Sequence, residues 1–186
     1  MIKRTVDDYH QLSGKYLDKF KDLEKKFLIT GAAGGIGRQM ALAIAELGGS
    51  LVLLDKPGSK YGELIATVKN NFDVKVESMD CDLEESNSRF EVVEALLSQE
   101  EPLNILINNA AFVGTSDLQG WDTDFENQNI ETWRRALEVN LTAAFDLSKG
   151  LVSKLKTGGY GSIINVGSIY GLNAPDYSLY EGTSMG

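Results

Sequence analysis

The stretch TGAAGGIG, residues 30–37, gives the first indication of the fold of this 186-residue chain. A short apolar run, KFLIT, ends at its first residue, and apolar residues recur at helical spacing over 35–47 behind it. A glycine-rich stretch between an apolar run and a helical pattern indicates a tight turn. We therefore predict a strand, a turn and a helix in that order.

Each glycine of this turn can serve a separate purpose. Gly31 lets the chain reverse sharply, Gly35 lets a phosphate approach the backbone, and Gly37 lets helix and strand pack closely. Ala33 and Ile36 lie in the same turn, and the N–H groups at the helix start can bind an anion. The glycines alone are equally consistent with a tight turn that binds nothing.

Apolar runs and helical patterns alternate along the rest of the chain, which predicts parallel strands with helices on both faces. Predicted strands follow at 51–55, 74–79, 103–108 and 161–167, and predicted helices at 60–71, 84–98 and 130–156. We predict an α/β fold, a Rossmann-type doubly wound parallel sheet over residues 25–186. Because such a sheet normally has further strands, we expect the chain to be truncated after its fifth strand.

Residues 1–24 form a separate segment. Leu12, Tyr16, Phe20 and Leu23 recur in steps of three and four, which predicts an amphipathic N-terminal helix. It either packs on its own domain or covers a neighbouring subunit.

Composition excludes several classes of function. A net charge of −9 argues against a nucleic-acid or anionic-membrane surface, which needs clustered Lys and Arg. One cysteine, Cys81, and one histidine, His10, predict neither a disulfide framework nor a metal site. Cys81 stands between two acidic residues that raise a thiol pKa, so it is interpreted as structural.

The start lacks a signal-peptide pattern and no run approaches the roughly 20 apolar residues of a membrane helix. We therefore predict a cytoplasmic protein.

Asp55 ends the second predicted strand, eighteen positions after Gly37. A carboxylate there can accept hydrogen bonds from adenosine ribose hydroxyls and repels a 2′-phosphate, which favours NAD over NADP. Two nearby cations, Arg38 and Lys56, leave NADP open as the less favoured cofactor. Alternatively, Asp55 only opens the turn before PGS.

Five short motifs at predicted strand ends or on the long helix together resemble the short-chain dehydrogenase/reductase family. They are TGAAGGIG, CDL at 81–83, NNAA at 108–111, VNL at 139–141 and INVGS at 164–168. The resemblance implies an NAD(P)-dependent oxidoreductase that transfers a hydride between nicotinamide and a secondary alcohol or ketone, commonly as a homodimer or homotetramer. The NNAA and VNL combination disfavours a methyltransferase or an extended epimerase, which also use a glycine turn.

The resemblance also implies roles for the residues that follow the strands. Asp82 and Leu83 would line an adenine pocket, and Asn109, Ala110 and Ala111 would form the floor beneath a cofactor ribose. Asp82 is alternatively the N-cap of the next helix. Ala111 replaces the usual final glycine of its motif.

Two residues are catalytic by the same resemblance. Asn140 would support a water relay and Ser168 would hydrogen-bond the substrate oxygen. Alternatively, Asn140 makes an interior hydrogen bond to the backbone and Ser168 is an ordinary loop serine.

The family's acid/base pair is Tyr-x-x-x-Lys, but Ser184 stands four positions after Tyr180. Either the pair lies beyond the end of this sequence, or the protein is a degenerate dinucleotide-binding sensor or scaffold, or Tyr180 acts with another cation. YEGTSM resembles a loop of flagellin-modification and sugar-pathway members, which implies a sugar or sugar-phosphate substrate. Trp121 and Phe125 form either a wall of that pocket or surface packing.

Overall fold

The structure of the protein, a computed structural model, describes residues 24–112, 118–121, 123–173 and 176. The predicted amphipathic leader and Tyr180 lie outside these residues, so both remain predictions.

Five parallel strands form one sheet in the described residues, in the order β3-β2-β1-β4-β5. They are β1 (Lys26–Thr30), β2 (Ser50–Asp55), β3 (Val76–Asp80), β4 (Ile105–Asn108) and β5 (Ser162–Asn165). The register places Phe27 beside Leu51 on one side and beside Ile105 on the other. All five strands therefore end at the same edge of the sheet, where the predicted site motifs lie.

Helices cover both faces of this sheet, as predicted. They are α1 (Gly35–Glu46), α2 (Gly62–Asn71), α3 (Ser86–Ser98), α4 (Ile130–Leu137) and α5 (Ala143–Thr157). Successive strand residues point to opposite faces, so Ile29 packs with α1 and α2 while Leu28 packs with α3 and α5. The doubly wound arrangement follows from these two cores.

The prediction of one continuous helix over 130–156 is wrong in its middle. A π-helical turn, Glu138–Thr142, separates α4 from α5. Asn140 lies in this turn, and its Oδ1 accepts a hydrogen bond of 2.6 Å from the backbone N–H of Phe112. The wider turn places the Asn140 side chain against another segment of the chain, and π turns of this kind are frequent at functional sites.

Arg89 ties α3 to three other parts of the chain. Its side chain is 3% exposed and donates to Asp146 at 2.9 Å, to Glu138 at 2.7 Å and to the carbonyl oxygen of Leu83 at 2.5 Å. These contacts join α3 to the segment after β3, to the π turn and to α5.

No helix in the part of the chain described above is long and apolar enough to cross a membrane.

We expect Arg89→Met to lower the free energy of unfolding by about 2–3 kcal/mol, because two neighbouring carboxylates then lose their shared cation. The loss is smaller than for a fully buried pair, since the side chains of Glu138 and Asp146 are 34% and 42% exposed and regain water. Urea denaturation of the full-length protein measures this change.

The matched control is Arg134→Met. Arg134 pairs with Glu131 on the surface of α4, where both side chains are more than 60% exposed, so its loss should change stability by less than about 0.5 kcal/mol. Equal unfolding midpoints for the two variants would contradict the structural role assigned to Arg89.

Candidate functional site

The glycine turn joins the end of β1 to the start of α1. Gly31 has φ +66°, the left-handed region, and a Cβ there would lie 2.8 Å from the Cα of Ala110. A Cβ at Gly37 would lie 2.2 Å from the carbonyl oxygen of Gly31. Around a Cβ at Gly35, by contrast, no described heavy atom comes within 4 Å. The fold itself therefore requires Gly31 and Gly37, whereas Gly35 borders open space.

The start of α1 faces that open space. Gly34 precedes the helix in an extended conformation, and no described side chain caps the first turn. Uncapped backbone N–H groups at a helix start, with the positive end of the helix dipole, favour an anion. The arrangement suits a phosphate group.

Asp55 contacts the same turn from the end of β2. Its Oδ2 accepts from the backbone N–H of Ala33 at 2.9 Å, while its Oδ1 accepts from the N–H of Lys56 at 2.8 Å and the hydroxyl of Ser59 at 3.1 Å. Asp55 thus orders the turn after β2, one of the two interpretations above. A carboxylate has about four acceptor positions, so roughly one remains for a ligand hydroxyl.

Asp82 follows β3 and is not the N-cap of α3. The residue before that helix is Glu85, and α3 begins at Ser86. The Oδ1 of Asp82 instead accepts from the backbone N–H of Glu84 at 3.0 Å, in a turn that precedes the helix. The N–H of Asp82 donates to the hydroxyl of Ser88 at 3.1 Å, which fixes the turn against α3.

Cys81, between β3 and this turn, is buried and makes no disulfide. Burial raises the pKa of its thiol, and the neighbouring Asp82 carboxylate adds to the increase. The thiol is therefore protonated near neutral pH and unreactive, which agrees with the structural interpretation.

The segment after β4 is tied to the end of β1. The hydroxyl oxygen of Thr30 accepts from the backbone N–H groups of Asn109 and Ala110, both at 2.9 Å. The side-chain amide of Asn109 donates to the carbonyl oxygens of Thr30 at 3.0 Å and Gly31 at 3.3 Å. These bonds hold the NNAA segment directly beside the glycine turn.

A cavity of about 590 Å³ lies between these strand ends and α4. Its lining includes every residue predicted to bind a cofactor except Ala33: Gly31, Gly35, Ile36, Gly37, Asp55, Asp82, Leu83, Asn109, Ala110 and Ala111. We call it the strand-end cavity. Ala33 contributes through its N–H bond to Asp55.

The strand-end cavity also includes residues that the sequence analysis did not select. Phe112 directly follows the NNAA motif and Val139 is the first residue of the VNL motif, so their position could have been inferred from those motifs. Arg135 belongs to no recognised motif. The only sequence signal for its position at the cavity is that it lies four residues before Val139, on the same face of the helix.

The predicted catalytic residues lie around a second cavity, of about 650 Å³. Asn140, Asn165 and Gly167 line it, and it shares Leu83, Ala110 and Val139 with the strand-end cavity. Ser168 directly follows Gly167 and is exposed.

Three side-chain hydrogen bonds bear on the alternatives for these residues. The hydroxyl of Ser168 accepts from the N–H of Tyr170 at 3.2 Å and so caps a short 3₁₀ turn, Ile169–Gly171. The amide of Asn140 bonds the backbone of Phe112. Asn140 therefore makes a hydrogen bond to the backbone, as the non-catalytic alternative requires, and it also lines a cavity.

A family model described as short chain dehydrogenase matches residues 25–184. The chain belongs to the short-chain dehydrogenase family. Residues 25–184 contain all five motifs named above, together with both cavities.

Individual relatives differ in substrate and cofactor. The 3-oxoacyl-[acyl-carrier-protein] reductase FabG of Rickettsia bellii is 32% identical over 160 residues, which are 86% of this chain and 60% of that protein. An NAD⁺-bound xylitol dehydrogenase superposes with a TM-score of 0.71 at 29% identity, over 84% of this chain and 57% of that one. An NADPH-dependent 3-quinuclidinone reductase from Rhodotorula rubra gives 0.72 at 32% identity, over 86% and 58%.

This chain thus spans about three fifths of the length of these relatives. None of the three is named for flagellin modification, so that finer resemblance remains a hypothesis. Among the described residues no group of three or more His, Cys, Asp or Glu is placed to hold a metal ion.

Proposed function

We propose that the protein is an NAD(P)-dependent oxidoreductase that transfers a hydride between nicotinamide and a secondary alcohol or ketone. The observation that carries this proposal is the strand-end cavity. This chain belongs to the short-chain dehydrogenase family, and its strand-end cavity combines an uncapped helix start, open space at Gly35 and a carboxylate at the end of β2. Ligands of open parallel sheets bind at this edge.

The residues present fit a dinucleotide. The N–H groups at the start of α1 would hold the pyrophosphate, and Asp55 would accept from a ribose hydroxyl. Asp82 and Leu83 would border the adenine, with the ribose of the other nucleotide above Asn109 to Ala111. When bound, the nicotinamide supplies or accepts the hydride.

The chain's own contribution to the reaction centres on Asn140 and Ser168. Ser168 would donate a hydrogen bond from its hydroxyl to the substrate oxygen, which stabilises negative charge that develops there during reduction. Asn140, which lines the second cavity, would hold water beside that oxygen. Proton transfer would need a tyrosine with a neighbouring cation, as in the family's Tyr-x-x-x-Lys pair, because a tyrosine near its ordinary pKa of about 10 is a weak acid and base at neutral pH.

Hydride transfer can be tested with NADH deuterated at C4 of the nicotinamide. The full-length protein is incubated with this NADH and a panel of ketones, and the alcohol products are analysed by mass spectrometry. Deuterium at the new carbinol carbon supports the proposal. NADH binding without turnover across the panel would favour a sensor or scaffold, and product formation without net NADH oxidation would favour an epimerase.

We propose NAD as the preferred cofactor. Asp55 would repel a 2′-phosphate, and Arg38 is already engaged: its Nε donates to the carbonyl oxygen of Ala33 at 2.9 Å and its Nη2 to that of Lys60 at 2.5 Å. Arg38 is therefore less available to a 2′-phosphate than its position in the sequence suggests.

Asp55→Ser should raise the ratio of kcat/KM for NADPH to that for NADH about 30-fold, or about 2 kcal/mol. The substitution removes a charged acceptor for the ribose hydroxyl and the repulsion of a 2′-phosphate. Because any loosening of the turn affects both cofactors, their ratio isolates the recognition effect.

Asp80→Ser is the matched control, since Asp80 lies beside Asp55 in the sheet register but does not line the strand-end cavity. It should leave the cofactor ratio unchanged. A ratio that moves in neither variant would contradict the assignment of Asp55 to the ribose.

We propose a polyhydroxylated substrate, a sugar or polyol, as the finer substrate class. The likeness to a xylitol dehydrogenase supports it, as does the resemblance of YEGTSM to a loop of sugar-pathway members. Trp121 packs edge-on against Phe112, a lining residue of the strand-end cavity, with ring centroids 5.4 Å apart, whereas Phe125 is 86% exposed. Inclusion of polyols and ketoses in the deuterium assay tests this class.

We also propose that the protein is a homodimer or homotetramer. Leu137, Leu141 and Phe145 are all more than 40% exposed and recur every four residues along α4, the π turn and α5. An apolar stripe of this kind is typical of a surface that another subunit covers.

A further inference from the structure

Arg135 is held on two sides at the rim of the strand-end cavity. Its Nε lies 2.7 Å from Oε2 of Glu84 and its Nη2 lies 3.0 Å from Oε1, a bidentate ion pair between α4 and the segment after β3. Its guanidinium carbon lies 5.2 Å from the centre of the Phe112 ring. The plane and position of this cation are therefore set by two separate segments.

We propose that Arg135 is a positioning residue for the adenylate half of the cofactor, held in place by Glu84 and Phe112. This inference rests on the dinucleotide function proposed above. The guanidinium lines the strand-end cavity together with Asp82 and Leu83, which border the adenine in that proposal. A planar, weakly hydrated cation can pack on an aromatic base as it does on Phe112.

The charge balance of the cavity supports the same role. Three carboxylates, those of Asp55, Asp82 and Glu84, line the strand-end cavity, and among its described lining residues Arg135 and Lys56 are the cations. An anionic dinucleotide that enters would meet repulsion from these carboxylates. Arg135 offsets it at the adenine end, because it neutralises Glu84 directly and lies close enough to Asp82 for attraction.

The neighbouring arginine shows why this pair differs from an ordinary surface ion pair. Arg134 and its partner Glu131 have side chains 66% and 69% exposed, and neither residue lines the strand-end cavity. The side chains of Arg135 and Glu84 are 48% and 26% exposed, and both line it. The two arginines thus form a matched test pair on one helix.

The test measures dissociation constants of the full-length protein by calorimetry with three probes: NADH, AMP and reduced nicotinamide mononucleotide. For Arg135→Met we expect the constants for NADH and AMP to rise by the same factor, about tenfold. Arg135→Lys, which keeps the charge but loses the plane and the bidentate pair, should raise both about threefold. The constant for the nicotinamide mononucleotide should stay within twofold of wild type, as should all three constants in Arg134→Met.

Each other result overturns the inference in a recognisable way. Equal weakening of all three probes would mean that Arg135 only maintains the fold of the site. An effect on NADH without one on AMP would place its action away from the adenylate, and no effect would exclude the role. If the wild-type protein bound none of the probes, the proposed function itself would fail. If the wild-type protein bound them and Arg135→Met bound them equally well, only the role of Arg135 would be rejected.

Discussion

Gly37→Ala is expected to abolish measurable NADH binding and to lower the free energy of unfolding by about 3 kcal/mol. A Cβ at this position would lie 2.2 Å from the carbonyl oxygen of Gly31 and 2.8 Å from the Cα of Ala32. Both are backbone atoms of the glycine turn, so they cannot move aside by a change of rotamer. The turn must open, and the start of α1 moves with it. Thermal and urea denaturation, together with NADH titration, measure the two effects.

Gly35→Ala is the matched comparison, since within the described residues a Cβ there has no heavy atom within 4 Å. Alanine at the first position of α1 should leave the stability unchanged or raise it by up to about 1 kcal/mol. The added methyl group nevertheless occupies space that a pyrophosphate needs, so NADH binding should weaken at least about tenfold. Normal NADH binding by Gly35→Ala would contradict the phosphate site, and normal stability of Gly37→Ala would contradict the geometry of the turn.

Ser168→Ala is expected to lower kcat about 100-fold to 1,000-fold in the full-length protein, with little change in KM. The hydroxyl would stabilise charge that develops on the substrate oxygen in the transition state, and loss of one such donor has an effect of this size. Its structural role is small, because it accepts one hydrogen bond from Tyr170 in an exposed turn. The free energy of unfolding should therefore change by less than about 1 kcal/mol.

Ser162→Ala serves as the control for this substitution. Ser162 is an exposed serine at the start of β5, at the opposite end of the strand from Ser168. Steady-state kinetics with the alcohol or ketone identified by the deuterium assay should show wild-type kcat for this control. Wild-type kcat in Ser168→Ala would show that the INVGS resemblance does not extend to a catalytic serine.

The layered fold could be predicted because buried parallel strands are apolar runs and the helices between them keep one apolar face. Leu28 and Ile29 illustrate this, since they pack on opposite faces of the sheet. The π turn between α4 and α5 could not be predicted. It accompanies a hydrogen bond between Asn140 and Phe112, which are 28 positions apart, and periodicity within a segment carries no information on such contacts.

Most residues of the candidate site could be predicted because the parallel strands of a sheet all end at the same edge. Residues directly after β1, β2, β3 and β4 therefore share one cavity, as expected from their motifs. Arg135 was missed because its partner, Glu84, is 51 positions away. The structural role of Asp55 was only partly foreseen, since its bond to the N–H of Ala33 depends on how β2 meets the glycine turn.

Calorimetric titration of the full-length protein with NADH, followed by competition with AMP, measures whether the strand-end cavity binds a dinucleotide. We predict one NADH site per chain, displacement by AMP, and weaker binding of NADPH than of NADH. Failure of both dinucleotides to bind at millimolar concentration, in a preparation that unfolds cooperatively, would contradict the assignment of the strand-end cavity to a cofactor.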